Sequence, residues 1–305
     1  MRRTHHSRVP RPIIIMETIG RLLNMGKNNA AMNMAIDEAI LLAQKEQPNP
    51  TLRFYRWTQP AFSFGYFQNI AEEIDIDTCR ADGIELVKRM TGGGTVVHGW
   101  ELTYTLILPR SDGEIGVANA YQRIGQSLTQ AFQKLGVPAR CYADSAGCAY
   151  KPHLPGLGTE TVISSKIETY GAVRNRTYRA EANICLTNPA EHDVMSDNNK
   201  KLAGVSVRRN RHGIMFQGYI SLDMPPPEIL TRVSKDPVTQ QMLREKSTAI
   251  NTDGRSITRT ALIQAISETL DLGIAFKSGK MSSMEQTQAE TLVKTKYATR
   301  AWNFE

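Results

Sequence analysis

Apolar positions recur along the chain with two periods, and each change of period marks a new element. In NNAAMNMAIDEAILLAQKEQ, Met32, Ala35, Ile36, Ala39 and Ile40 fall at helical spacing, which predicts an amphipathic helix. TLRFYRW then alternates Leu52, Phe54 and either Tyr55 or Trp57, and AFSFGYFQ is aromatic and β-prone, so both read as strands. DIDTCRADGI is a short helix stopped by Gly83, with Cys79 on it as a core residue. IELVKRM is another strand, followed by three consecutive glycines and by ELTYTLILP, whose apolar faces are nearly continuous. VANAYQRIGQSLTQAFQKLGV predicts a helix ending at Gly136. KLAGVSVRRNRHGIMFQGYISLD predicts a hairpin with a basic turn. Composition shifts after MPPPEIL: TRTALIQAISETLDLGI and MSSMEQTQAETLVKTKYA are both helical, which places a boundary at 223–227. No internal repeat is visible, and the mixture is that of an α/β or α+β domain.

The chain has 305 residues, 41% hydrophobic and 22% charged, an ordinary globular composition. No apolar run approaches the ~18 residues of a membrane helix, so no membrane span is expected. The basic stretch 1–17 has an apolar core too short for a secretory signal and reads as a flexible arm, or as sequence upstream of a start at Met16. Cys79, Cys141, Cys148 and Cys185 show no metal-ligand spacing, so no metal is expected and the thiols read as reduced and cytoplasmic. The net charge of +7 favours acidic partners. The densest basic cluster, VRRNRH at 207–212, reads equally as a solvated turn or a phosphate contact, and no nucleic-acid arm is present.

The stretch VKRMTGGGTVVHGWELTYTLILP concentrates the candidate chemistry. It matches neither a phosphate loop nor a dinucleotide fingerprint, which need GxxxxGK[ST] or a GxGxxG opening a helix. What remains is a turn where backbone approaches a ligand closely and free N–H groups bind an oxygen, or simply a tight hairpin. Lys88 and Arg89 precede the turn and His98 follows it; the histidine is either a base or a hydrogen-bonding wall residue.

MNMAIDEA, TLRFYRWTQPAFSFGYFQ, KRMTGGGTVVHGWELTYTLILP and KKLAGVSVRR occur in that order, and KYATRAWNFE closes the chain. The set resembles the biotin/lipoate protein ligase family, which includes lipoate ligases and protein octanoyltransferases, over most of the chain from about Thr18. The resemblance implies an α+β fold: a curved mixed β-sheet core flanked by helices, with a short helical C-terminal extension. It divides the chain into an arm (1–17), a catalytic domain (18–224) and that extension (225–305). It also implies an acyl pocket lined by Arg89, Thr91, Gly92, Gly93, Gly94, His98 and Gly204. The lysine reaching the acyl carbonyl is then Lys201, with neighbouring Lys200 as the rival.

The octanoyltransferase branch carries a cysteine upstream of that lysine, and ANICLTNPAEHDV supplies Cys185. A cysteine suits acyl relay from a carrier thiol to a lysine amine, although a lone cysteine after a strand is often only a small buried hydrophobe. The implied partners are octanoyl-acyl carrier protein as donor and lipoyl domains of 2-oxoacid dehydrogenases or the glycine cleavage H protein as acceptors. Both are typically acidic, so a rim of Lys88, Arg89, Arg208, Arg209 and Arg211 would steer them. No cofactor is implied for transfer, whereas a lipoate ligase, the runner-up within the family, needs ATP and magnesium. The resemblance is also compatible with octanoyl transfer between two lipoyl-domain proteins, and with a non-catalytic homologue that only binds lipoyl or acylated proteins. Two features depart from the octanoyltransferase pattern: Gly94 stands where an arginine is common, and 141–180 is longer than usual.

Overall fold

The computed structural model describes residues 18–110, 116–142, 184–186 and 189–305. The arm at 1–17 and most of the 141–180 segment, from 143 on, lie outside the described residues. An eight-stranded mixed sheet dominates, in the order β11-β1-β2-β6-β10-β9-β8-β7. Its strands are β1 (Thr18–Asn28), β2 (Thr51–Trp57), β6 (Leu102–Pro109), β7 (Ala139–Cys141), β8 (Val194–Ser196), β9 (Lys201–Arg209), β10 (Gly213–Ile220) and β11 (Ile274–Ser278). A second sheet, β4-β3-β5, is built from β3 (Ala61–Phe64), β4 (Glu85–Lys88) and β5 (Val96–His98).

Helices cover both faces of the large sheet, which is why its central strands lose the clean alternation of a half-solvated strand. On one face α4 (Val117–Lys134) and α7 (Arg259–Thr269) bury Leu106, Phe132, Phe216 and Leu262 in one cluster. On the other, α1 (Ala30–Ala43) and α8 (Ser283–Leu292) pack with Ile40, Tyr55, Ile107 and Met215. α1 is buried almost all round rather than amphipathic, and its two acids are therefore paired. Asp37 meets Arg53 of β2 at 2.5 Å, and Glu38 meets Lys296 at 2.7 Å. A third cluster sits under the small sheet, where Phe62, Phe64 and Cys79 of α3 (Ile76–Ala81) meet Leu230 of α5 (Pro227–Arg232) and Leu243 of α6 (Pro237–Lys246).

Three features differ from the sequence-based expectations. The glycine stretch does not close a hairpin: β4 and β5 lie on opposite sides of β3, parallel and antiparallel to it. The N-terminal strand β1 lacks a clean alternation and was not among the predicted elements; it runs parallel to both β2 and β11. Finally, the helices expected beyond residue 225 come with a strand, β11, which joins the edge of the large sheet. A π-helical turn, Val293–Tyr297, and α9 (Arg300–Phe304) complete that segment; the short helix α2 (Ile70–Glu73) follows β3. Among the described residues no helix is long and apolar enough to cross a membrane.

Candidate active site

The glycine turn is shaped by the arginine before it. Arg89 leaves the end of β4 and is buried, and its Nη2 donates to the carbonyls of Gly92 at 2.8 Å and Gly94 at 2.7 Å. Its Nη1 donates to Ser63 O at 2.7 Å, and its Nε to Thr91 Oγ1 at 3.2 Å. Burial pushes the guanidinium pKa down to about 10, with Cys185 opposing the shift. Every donor is directed into the protein, so Arg89 clamps the loop and is not part of a steering rim. The rim expectation is corrected for this residue; Arg209 and Arg211 are exposed, and Arg208 lies 5.3 Å above the Tyr66 ring. Gly93 holds φ +89°, a conformation that favours glycine.

A cavity of about 380 Å³ opens beside this loop, within the size range of small-ligand sites. Arg89, Gly92, Gly93, Gly94 and His98 line it from the small sheet, and Cys185, Lys201 and Gly204 from the other side. Thr91 stands behind the wall, fully buried, with its hydroxyl 2.9 Å from Gln217 Oε1. Apart from Thr91, whose hydroxyl is used inside the wall rather than at the cavity, the residues nominated from sequence converge on one place.

Cys185 reaches the cavity because its flanks are anchored. Ile184 bridges Thr95 at the end of the glycine turn, the Cys185 amide donates to Thr95 O at 3.0 Å, and Ile184 and Leu186 are buried under the small sheet. The thiol lies 3.4 Å from Lys201 Nζ. Of the two adjacent lysines, Lys201 turns its amine inward, while Lys200 belongs to the tight turn before β9. Gly204 makes room for it: a Cβ there would lie 2.5 Å from Lys201 Cε and 2.8 Å from Nζ. The amine is also held by Asp193 Oδ2 at 2.7 Å, and both side chains are buried. Burial disfavours the Lys201 charge, but Cys185 and then Asp193 outweigh it and hold the amine above its usual pKa. Burial pushes the Asp193 carboxyl up, with Lys201 opposing.

His98 is occupied on both sides. Nδ1 is 2.7 Å from Glu101 Oε1 and Nε2 is 2.7 Å from Ser63 Oγ, and the ring stacks on Trp57 at 3.9 Å. The carboxylate requires a donor, so Nδ1 carries the proton and Nε2 accepts from the serine. Burial lowers the imidazole pKa against the pull of Glu101. This is the geometry of a wall residue rather than of a free base.

The lipoyl protein ligase A/B catalytic domain family matches residues 29–271. The chain belongs to that family. Among its relatives, octanoyltransferase LipM of Symbiobacterium thermophilum is 32% identical, with 94% of this chain and 99% of that protein aligned. Octanoyltransferase LipM of Kyrpidia tusciae is 30% identical over 93% and 98% of the two chains. The solved structure of T. acidophilum protein Ta0514 with bound lipoic acid shares the fold, with a TM-score of 0.70 at 22% identity, covering 94% of this chain and 99% of that one.

Within this family fold, sequence reasoning missed Asp193, Thr95, Tyr219 and Gln217. Asp193 sits in AEHDV, where no motif marks it; only the pairing of β8 with β9 carries it to Lys201. Tyr219, whose hydroxyl is 3.5 Å from the Cys185 carbonyl, and Gln217 read as ordinary strand positions.

Proposed function

We propose that the protein transfers octanoyl groups in protein lipoylation, from acyl carrier protein through a thioester on Cys185 to a lysine of a lipoyl domain. One observation carries the reading: a cysteine thiol 3.4 Å from a buried ammonium, facing a small-ligand cavity beside a glycine loop. The naming of near-full-length relatives as octanoyltransferases supports it. With this donor and these acceptors, the reaction belongs in the cytoplasm.

The steps follow from the residues. The Lys201 ammonium stabilises negative charge on the Cys185 sulfur, which is the nucleophilic form. The sulfur attacks the acyl carbonyl carbon, forming a C–S bond and a tetrahedral oxyanion. Lys201 and the amides of the glycine loop are placed to stabilise that oxyanion. The carbon–sulfur bond to the carrier then breaks, and the carrier thiolate leaves with a proton in place of the one Cys185 gave up. In the second half the neutral amine of the acceptor lysine attacks the thioester. A C–N bond forms, the bond to Cys185 breaks, and the ammonium proton returns to the sulfur. Neither half consumes ATP or magnesium. His98 has no part in proton transfer here because both its nitrogens are engaged.

The test is intact mass after mixing the protein with octanoyl-acyl carrier protein without ATP. The expected result is a gain of one octanoyl group, removed by hydroxylamine and absent in Cys185→Ala. Acylation of a lipoyl domain only when free acid and ATP are supplied would overturn the reading in favour of a ligase. Acylation only from an octanoylated lipoyl-domain protein would replace the donor.

A further inference from the structure

Behind the cavity a chain of buried hydrogen bonds connects an internal ion pair to the glycine loop. Arg53 and Asp37, both fully buried, anchor it: Arg53 Nη1 meets Asp37 Oδ1 at 2.5 Å and Nη2 donates to Asn33 Oδ1 at 2.8 Å. Asp37 Oδ2 accepts from Thr105 Oγ1 and from Gln217 Nε2, each at 2.8 Å, and from the Tyr55 hydroxyl at 3.2 Å. Gln217 Oε1 accepts from Thr91 Oγ1 at 2.9 Å, and Thr91 Oγ1 accepts in turn from Arg89 Nε at 3.2 Å. Arg89 then grips the Gly92 and Gly94 carbonyls.

The direction of every bond in this chain is fixed. Guanidinium groups only donate and a carboxylate only accepts. The Gln217 amide must therefore turn its NH₂ to Asp37 and its oxygen to Thr91. At the far end, a trans peptide points its C=O and N–H in opposite directions, and the described backbone contains no cis bond. With the Gly92 carbonyl turned towards Arg89, the Gly93 N–H points away from the guanidinium. No described residue accepts a hydrogen bond from it. Gly93 itself lines the cavity.

We infer that Gln217 is a positioning residue: through Thr91 and Arg89 it holds the glycine loop so that the Gly93 N–H faces the acyl carbonyl. Nothing in the acyl chain is needed to set this geometry, so the loop is organised before substrate arrives. A donor fixed in advance costs no reorganisation as charge develops on the oxygen. The inference rests on acyl transfer at this site and applies equally to a thioester or a free-acid donor.

The test compares steady-state acylation of a lipoyl domain by wild type, Gln217→Met and Gln217→Glu, using the donor that wild type accepts, thioester or free acid with ATP. A failure of the thioester route then shows in wild type, whereas a failure of the loop inference shows only in the ratio of variant to wild type. Gln217→Met keeps the volume and loses the relay. It should lower kcat about 10- to 100-fold, the order expected when a reacting group is misplaced by ~1 Å, with KM for the donor within about twofold.

Gln217→Glu adds a signature that a packing role would not give. The new carboxyl would sit beside Asp37 of α1 and Thr91 of the loop, with Arg53 and Tyr55 of β2 on the far side of Asp37, Arg89 on the far side of Thr91, and Cys185 and Lys201 lining the same cavity. Only its protonated form can donate to Asp37 and still accept from Thr91. Its rate should therefore approach wild type at low pH and fall as pH rises. A Gln217→Met kcat equal to wild type overturns the inference, as does a Gln217→Glu pH profile identical to it. If Gln217→Met does not fold, Thr91→Val, which breaks the next link, is measured by the same ratio.

Discussion

Asp193→Ala should destabilise the protein more than its size suggests, and removing its partner as well should restore much of the loss. The Asp193–Lys201 pair is buried on both sides, at 2.7 Å. Truncating the aspartate removes the carboxylate partner of a buried ammonium that also lies 3.4 Å from the Cys185 sulfur. Breaking one side of a buried pair typically costs about 3–5 kcal/mol, whereas replacing both partners by apolar groups is often nearly neutral. At about 2–4 °C per kcal/mol, the single substitution should lower Tm by roughly 6–20 °C. Asp193→Ala with Lys201→Met should sit well above that, though without activity. The assay is thermal unfolding of the two single variants and the double variant, completing a cycle with wild type. Additive losses, with the double variant below either single one, would refute a coupled buried pair. The Lys201 amine is held above its ordinary pKa, so its contribution is fully present below about pH 10.5 and fades only as pH climbs through the higher folded value. The Tm gap should accordingly be constant from pH 7 to 9.

Gly204→Ala should abolish most transfer while the protein stays folded, because the new methyl overlaps the Lys201 stem; about 1–3 kcal/mol of overpacking is expected in denaturant unfolding, with activity down at least ~100-fold. His98 should remain neutral in nitrogen NMR well below pH 6.5, since burial lowers its pKa. The unfolded chain then binds a proton that the folded one refuses, so stability falls as pH drops below about 6.5, by at most about 1.4 kcal/mol per pH unit from this group. A native His98 titrating at or above 6.5 would contradict the packing described. Cys79, buried with its thiol pushed up to about 11, should resist alkylation in the native protein at pH 7.5 while Cys185 reacts.

What could be read from the sequence was set by local rules. Lys201 and Gly204 were reached only through the family resemblance; Gly92–Gly94, by contrast, stand out because backbone freedom has a local physical meaning, and the hairpin of β9 and β10 was fixed by its own alternation. Asp193 and Gln217 were invisible for the opposite reason. Each acts through a distant partner, Asp193 through Lys201 by the pairing of β8 with β9, and Gln217 through Asp37 of α1, the helix packed on the sheet, at 180 positions' separation. α1 misled in a specific way: Asp37 and Glu38 look like a solvated face until Arg53 and Lys296 arrive from elsewhere to neutralise them. β11 escaped because a five-residue strand between two helices is specified by the open edge of β1 more than by its own residues.

Lys88, the residue just ahead of the loop-clamping arginine, has both backbone groups held by α9. Its N–H donates to Asn303 Oδ1 and its carbonyl accepts from Trp302 Nε1, each at 2.8 Å. The entry to the glycine loop is thus fastened by residues synthesised more than two hundred positions later. On a ribosome, where earlier parts of a chain collapse first, the β2-β6-β10-β9 part of the large sheet and the cavity beside it can begin to assemble before that fastening exists. The glycine loop that faces Cys185 is therefore secured only once residue 303 has emerged.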